Sequence, residues 1–201
     1  MKLYRSATSP YVRKVSVVIR EAGLTGIDEI TAIGTPVDPG SMPVDQNPLG
    51  KIPALVTDEG LVLYDSRVIC RYLDSRAGAG LYPEAPRLWD TLVVEATADG
   101  ILDAAVLIVY EARTRPEDLR FSPWVEGQWA KIARALAALE TRWMAHLQGP
   151  LDMGQIAVGC ALGYLEFRHG ARDWRKGHPR LAEWEAGFAQ RPAMQATLPQ
   201  G

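Results

Sequence analysis

Through the first third of the chain, apolar positions come in short runs, and beyond it they recur at helical spacing. Residues 2–6 read as a strand, and Ser9-Pro10 starts a helix with a hydroxyl at the N-cap and proline at the first helical position. Tyr11, Val15, Val18, Ile19 and Ala22 form that helix's apolar stripe, and Gly23 ends it. Residues 29–33 read as a second strand, parallel to the first across a right-handed connection. Residues 54–57 and 61–64 form a hairpin through Asp58-Glu59-Gly60. Asp65-Ser66 then opens a helix with Val68, Ile69, Tyr72 and Leu73 on one stripe.

This order, βαβ followed by ββα, resembles the thioredoxin fold. Ala77-Gly78-Ala79-Gly80, followed by Pro83 and Pro86, reads as a linker. Beyond it residues 88–113, 123–147, 153–168 and 179–190 each show helical periodicity, which predicts a bundle. The expected organisation is therefore α/β plus all-α: a thioredoxin-like domain over 1–77, a linker over 78–87 and an all-helical domain over 88–201. Trp129, Ile132, Leu136, Leu139 and Trp143 trace one face of the bundle's second helix and read as core. Asp152 and Gln155 have the spacing of a capping box, with Leu151 and Ile156 placed as its hydrophobic staple. Residues 34–46, rich in Gly, Pro and Asp, read as a loop.

Composition narrows the function classes. At 47% hydrophobic, 23% charged and net charge -2, the chain has material for a sizeable core and no basic block to attract a nucleic acid. No apolar run approaches the roughly 18 residues of a membrane span, and Met1 leads directly into patterned sequence, so a cytoplasmic protein is expected. Cys70 and Cys160 lie in helical patterns far apart and read as core thiols. His146, His169 and His178 lack metal-ligand spacing, so no metal is expected.

The stretch from Asn47 to Ser66 carries the chemistry. Pro48 and Gly50 punctuate a turn, and Pro53 enters an apolar run where no ladder N–H is needed, a place that also admits a cis bond. Left extended beside Pro53, Ile52 can offer its N–H and C=O to an added peptide strand. The N–H groups at Ser66 suit a carboxylate, and Asp65 can pair with an ammonium group, together the pattern of an α-amino acid head. Taken singly, Pro-Leu-Gly-Lys reads as a turn and Asp-Ser as a helix cap. In combination, Asn-Pro-Leu-Gly-Lys-Ile-Pro before a hairpin and an acidic-Ser pair resembles the glutathione-binding half of the glutathione transferase family, closest to small bacterial-type cytosolic members with a serine-type N-terminal motif.

That resemblance implies a transferase with glutathione as co-substrate and a small electrophile as second substrate, usually a homodimer and associated with detoxification. It assigns the cysteinyl backbone of glutathione to Ile52 and Pro53, the glutamyl end to Asp65 and Ser66, and the glycine carboxylate to Lys51. Asp99, sharing a helix face with Asp103, reaches the glutamyl ammonium from the partner subunit or serves as a solvated or capping residue. Ser9 matches the family's Ser/Cys-Pro-[Phe/Tyr] form and would donate a hydrogen bond to the glutathione thiolate, while Thr8, one residue earlier, competes for that role. A serine without a base is a poor nucleophile, so the nucleophile is the tripeptide's sulfur. With no cysteine at positions 8 to 14, exchange through a protein thiolate has no candidate. Two other readings stay open: a non-catalytic interaction or regulatory protein of the same fold, and a glutathione-dependent isomerase or dehalogenase. Electrophile selection is expected near Tyr110 and Arg113.

Overall fold

Strand β1 (Lys2–Arg5) is the centre of the first half of the chain. It pairs in parallel with β2 (Asp28–Thr31), matching Leu3 to Glu29, and antiparallel with β3 (Ala54–Val56), matching Leu3 to Leu55. β4 (Val62–Leu63) adds to β3 and completes a mixed sheet in the order β2-β1-β3-β4. Helices α1 (Pro10–Glu21) and α2 (Ser66–Ala77) pack on each other, and α2 packs on β3. The thioredoxin-like βαβ-ββα order is thus present. The computed structural model describes residues 1–199 and falls into two units, Met1–Tyr82 with the residues from Ala196 onward, and Pro83–Gln195.

The strands stop short of their apolar runs because side chains and turns capture the end groups. Ile33 donates its N–H to the Ser41 hydroxyl and accepts the Ser41 N–H, so the chain leaves β2 for the loop. Thr57 exchanges hydrogen bonds with Leu61 through both its backbone and its hydroxyl, closing the hairpin one residue early. Helix α1 ends as expected: Gly23 has φ of +63°, the Leu24 N–H reaches the Ile19 carbonyl at 2.9 Å and the Gly23 N–H the Arg20 carbonyl at 3.2 Å, a Schellman close. Its buried surface is wider than a stripe, however, taking in Val12, Arg13, Lys14, Ser16 and Val17, whereas Tyr11 is only half-buried. In α2 the buried apolar positions are Ile69, Cys70 and Leu73, joined by Ser66 and Asp74, while Val68 is exposed.

The second unit is helical: α3 (Arg87–Thr114), α4 (Ser122–Ala138), α5 (Met144–Leu147), α6 (Met153–His169), α7 (Pro179–Phe188) and α8 (Pro192–Gln195). The expected continuous helix over 123–147 is interrupted by a π turn at Leu139–Trp143. Ile132, Leu136 and Leu139 are core, as their spacing indicates, but Trp129 and Trp143 are half-buried at its edge. Every residue from Met153 to Leu162 is buried, which makes α6 the axis of the unit. Its start is fixed by Asp152, whose Oδ1 accepts the Gln155 N–H at 3.2 Å. Gln155 does not complete a reciprocal box; its amide donates instead to the carbonyls of His146, Gly149 and Pro150.

Candidate functional site

The pairing register brings three segments to one end of the sheet. Tyr4 faces Ala54 and Leu55 faces Leu63, so the end of β1, the entry to β3 and the exit of β4 lie side by side. These are the segments that lead into Ser9, Ile52-Pro53 and Asp65-Ser66.

At the first of them, the chain turns from β1 into α1 with the Ser9 N–H reaching the Ser6 carbonyl at 3.4 Å. Ser9 is the N-cap, in an extended conformation, and its Oγ accepts the Val12 N–H at 3.3 Å. Capping uses a lone pair and leaves the hydroxyl proton available for donation. Thr8 is arranged differently. Its Oγ1 lies 3.2 Å from the Ser6 Oγ, and its N–H donates to that same Ser6 oxygen at 3.3 Å. Ser6, which its sequence position alone does not single out, thus holds Thr8 through both groups.

The second segment is built on Asn47. This buried residue donates from Nδ2 to the Lys51 carbonyl at 2.8 Å and accepts the Leu49 N–H at 3.1 Å, while its own carbonyl accepts the Gly50 N–H at 2.9 Å. Gly50 takes φ of +60°, which glycine adopts without a Cβ penalty. The Lys51 side chain is exposed, Ile52 lies outside the ladder, and Pro53 is buried after a cis peptide bond. The sequence pointed to the turn but not to Asn47 as its organiser; an Asn directly before Pro, five residues before Ile52, was the available signal.

In the third segment Asp65 caps α2, its Oδ1 accepting the Arg67 N–H at 2.9 Å while its Oδ2 pairs with the Arg67 guanidinium at 3.1 Å. Both side chains are more than half exposed, so the pair is weak and exchangeable. Ser66, 3% exposed, begins the helix beneath it. Asp99 belongs to α3 in the helical unit, where it is 4% exposed, and Asp103 one turn on is exposed.

A model of the glutathione S-transferase N-terminal domain matches residues 8–76, and a model of the C-terminal domain matches residues 122–187. The chain belongs to the glutathione S-transferase family. A family member from Pseudomonas fluorescens Pf-5 has a crystal structure with bound glutathione that is 45% identical over 100% of this chain and 99% of that one, at a TM-score of 0.97. A second crystal structure of a family member from that strain, also 45% identical and covering 100% of both chains, holds S-(propanoic acid)-glutathione at a TM-score of 0.92. Among curated relatives, an uncharacterized GST-like protein, YibF, of Escherichia coli is 34% identical over 99% of this chain and 98% of its own length. A stringent starvation protein A homolog of Pasteurella multocida is 38% identical over 79 residues, covering 38% of this chain and 34% of its own. The family's two domains thus account for both the sheet with its cluster of loops and the bundle around α6. Among the described residues no group of His, Cys, Asp and Glu is arranged to hold a metal ion, and no helix is long and apolar enough to cross a membrane.

Proposed function

We propose that this transferase-family chain binds glutathione at the three-loop end of its sheet and raises the thiolate fraction of the tripeptide for attack on a small electrophile. The carrying observation is Ser9, an N-cap whose oxygen accepts the Val12 N–H and whose proton is left to donate. Glutathione and a glutathione thioether in the two Pseudomonas structures support the ligand. In this reading Ile52 presents its backbone to the cysteinyl residue beside Pro53, Lys51 meets the glycine carboxylate, and Ser66 takes the glutamyl carboxylate. Asp65 exchanges Arg67 for the ligand's ammonium group, a role in which Asp99 of a second copy assists. The thiol proton leaves to solvent. A hydrogen bond from Ser9, or from Thr8 held by Ser6, then stabilises the sulfur anion, and the α1 N-terminus adds its positive potential.

The helical unit supplies the acceptor's contacts in this reading, and the protein works in the cytoplasm as a homodimer in a detoxifying role. The homodimer draws support from α3, whose Trp89, Val93, Ala96, Gly100 and Leu107 stand exposed on one face at helical spacing. The alternative reading is a family fold kept as an interaction or regulatory surface without catalysis.

The test is a glutathione titration at neutral pH that follows ultraviolet thiolate absorbance, with calorimetry alongside. Saturable thiolate formation is expected in the native protein, falling about tenfold or more in Ser9→Ala. Loss in Thr8→Ala alone transfers the donor role to Thr8. Absence of both binding and thiolate signal selects the regulatory reading.

A further inference from the structure

Asn47 reaches beyond the turn that it organises. Its N–H donates to the Pro43 carbonyl at 2.7 Å, its carbonyl accepts the Gly50 N–H at 2.9 Å and its Oδ1 accepts the Leu49 N–H at 3.1 Å. Those three bonds fix the residue, 2% exposed, and aim its side-chain amide. The fourth runs from Nδ2 to the Lys51 carbonyl at 2.8 Å. That carbonyl belongs to the peptide group whose N–H is that of Ile52. The bond between Lys51 and Ile52 is trans, so the group is planar and its N–H points opposite to its C=O. Holding the Lys51 oxygen toward Asn47 therefore turns the Ile52 N–H away from it. Among the described residues that N–H donates to nothing, and Ile52 is half-buried just outside the ladder. Donation to the carbonyl also polarises the peptide group and strengthens its N–H as a donor.

We propose that Asn47 is a positioning residue for glutathione: through the Lys51 carbonyl it presets the peptide group whose N–H the tripeptide's cysteinyl carbonyl takes up. This rests on the glutathione reading above, in which Ile52 presents its backbone to the cysteinyl residue. The Asn47 amide does not touch the ligand in this arrangement. A free loop would have to order the Lys51–Ile52 peptide group on binding, and a group set beforehand spares that cost. The choice of asparagine follows. The place needs an acceptor for Leu49 and a donor for Lys51 on one short side chain. Aspartate has the same shape but supplies only the acceptor, and it sets a negative oxygen against the Lys51 carbonyl.

Calorimetry on the full chain can compare glutathione with γ-glutamylcysteamine, which keeps the glutamyl end and the thiol but has no cysteinyl carbonyl. The native protein is expected to bind glutathione more tightly. Asn47→Asp should lower the glutathione affinity about tenfold and leave that for γ-glutamylcysteamine unchanged, which also shows that the variant is folded. Equal weakening of both ligands overturns the proposal, since Asn47 then only supports the fold. So do an unchanged glutathione affinity in the variant and equal affinities for the two ligands in the native protein. Backbone amide relaxation and hydrogen exchange need no variant. Without ligand, the Ile52 amide of the native protein should show an order parameter of about 0.85, that of a rigid backbone, and its exchange should slow when glutathione is added. An order parameter under about 0.6, or exchange that bound glutathione leaves unchanged, overturns the proposal with glutathione binding intact. If the native protein fails to bind glutathione itself, the transferase reading falls, and this inference with it.

Discussion

At the scale of single residues, Asp65 has two separable tasks. Its Oδ1 caps α2 and its Oδ2 faces Arg67. Asparagine caps as well as aspartate but carries no charge. Asp65→Asn is therefore expected to leave stability within about 0.5 kcal/mol while weakening glutathione binding about tenfold, by urea denaturation and calorimetry respectively. Unchanged affinity would remove Asp65 from the site. His169 makes a different prediction, about pH. Burial lowers its pKa below the usual 6.5; the Ala105 carbonyl pulls the other way, and Arg172 and Arg168 add to the lowering. Between the folded value and 6.5 the unfolded chain binds the extra proton, so stability rises with pH across that window and is lost as pH falls through the folded value. Replacing His169 with Gln should flatten that slope in denaturation midpoints measured from pH 5 to 8.

At the scale of elements, the start of α6 is the most heavily bound point of the helical unit. Asp152, 1% exposed, accepts from Arg87 at 2.9 Å and Thr91 at 3.0 Å, and the His146 Nε2 stands 2.9 Å away at ion-pair distance without hydrogen-bond alignment. Removing the carboxylate uncaps a helix and takes an acceptor from Arg87 and Thr91, so Asp152→Ala should cost about 2 kcal/mol in urea denaturation with an unchanged m value. Gly159 faces Phe188 so closely that an added Cβ would stand 2.7 Å from its ring, and Gly159→Ala should cost about 1 to 3 kcal/mol. Caps of this kind were legible in the sequence: Ser9-Pro10, Asp65 and Asp152 each pair a short acceptor side chain with a following apolar pattern. Asn47 and Ser6 were not, because bonds from one side chain to a neighbouring backbone leave no periodic trace. The breadth of burial on α1 was hidden for another reason, since Arg13 and Lys14 look like solvent positions in any hydropathy pattern.

At the scale of the whole molecule, the exposed face of α3 is where the proposed homodimer can be tested. Trp89 and Val93, at 63% and 51% exposure, are costly to leave in water if nothing covers them. Light scattering should give twice the chain mass for the native protein and the single mass for Trp89→Glu/Val93→Glu. A native monomer would withdraw the homodimer and the role of Asp99 from a second copy. The order of elements, the family and both domain types were readable in the sequence because each rests on local caps and repeated spacing. The π turn was not, since Leu139 and Trp143 continue the apolar rhythm of α4 without a break.

That turn bears on how the chain tolerates change in length. A π turn is an α-helix carrying one surplus residue. Here the widened coil holds Glu140 where its carboxylate accepts the N–H groups of Arg180 at 3.2 Å and Leu181 at 2.8 Å, a cap for α7 lent from a distant part of the chain. Losing one residue anywhere in Leu139–Trp143 would return the helix to α phase and swing the turns beyond it by about 100°. Gaps in this segment among related sequences should therefore coincide with a new acceptor supplied at the head of α7 itself, where His178 now stands.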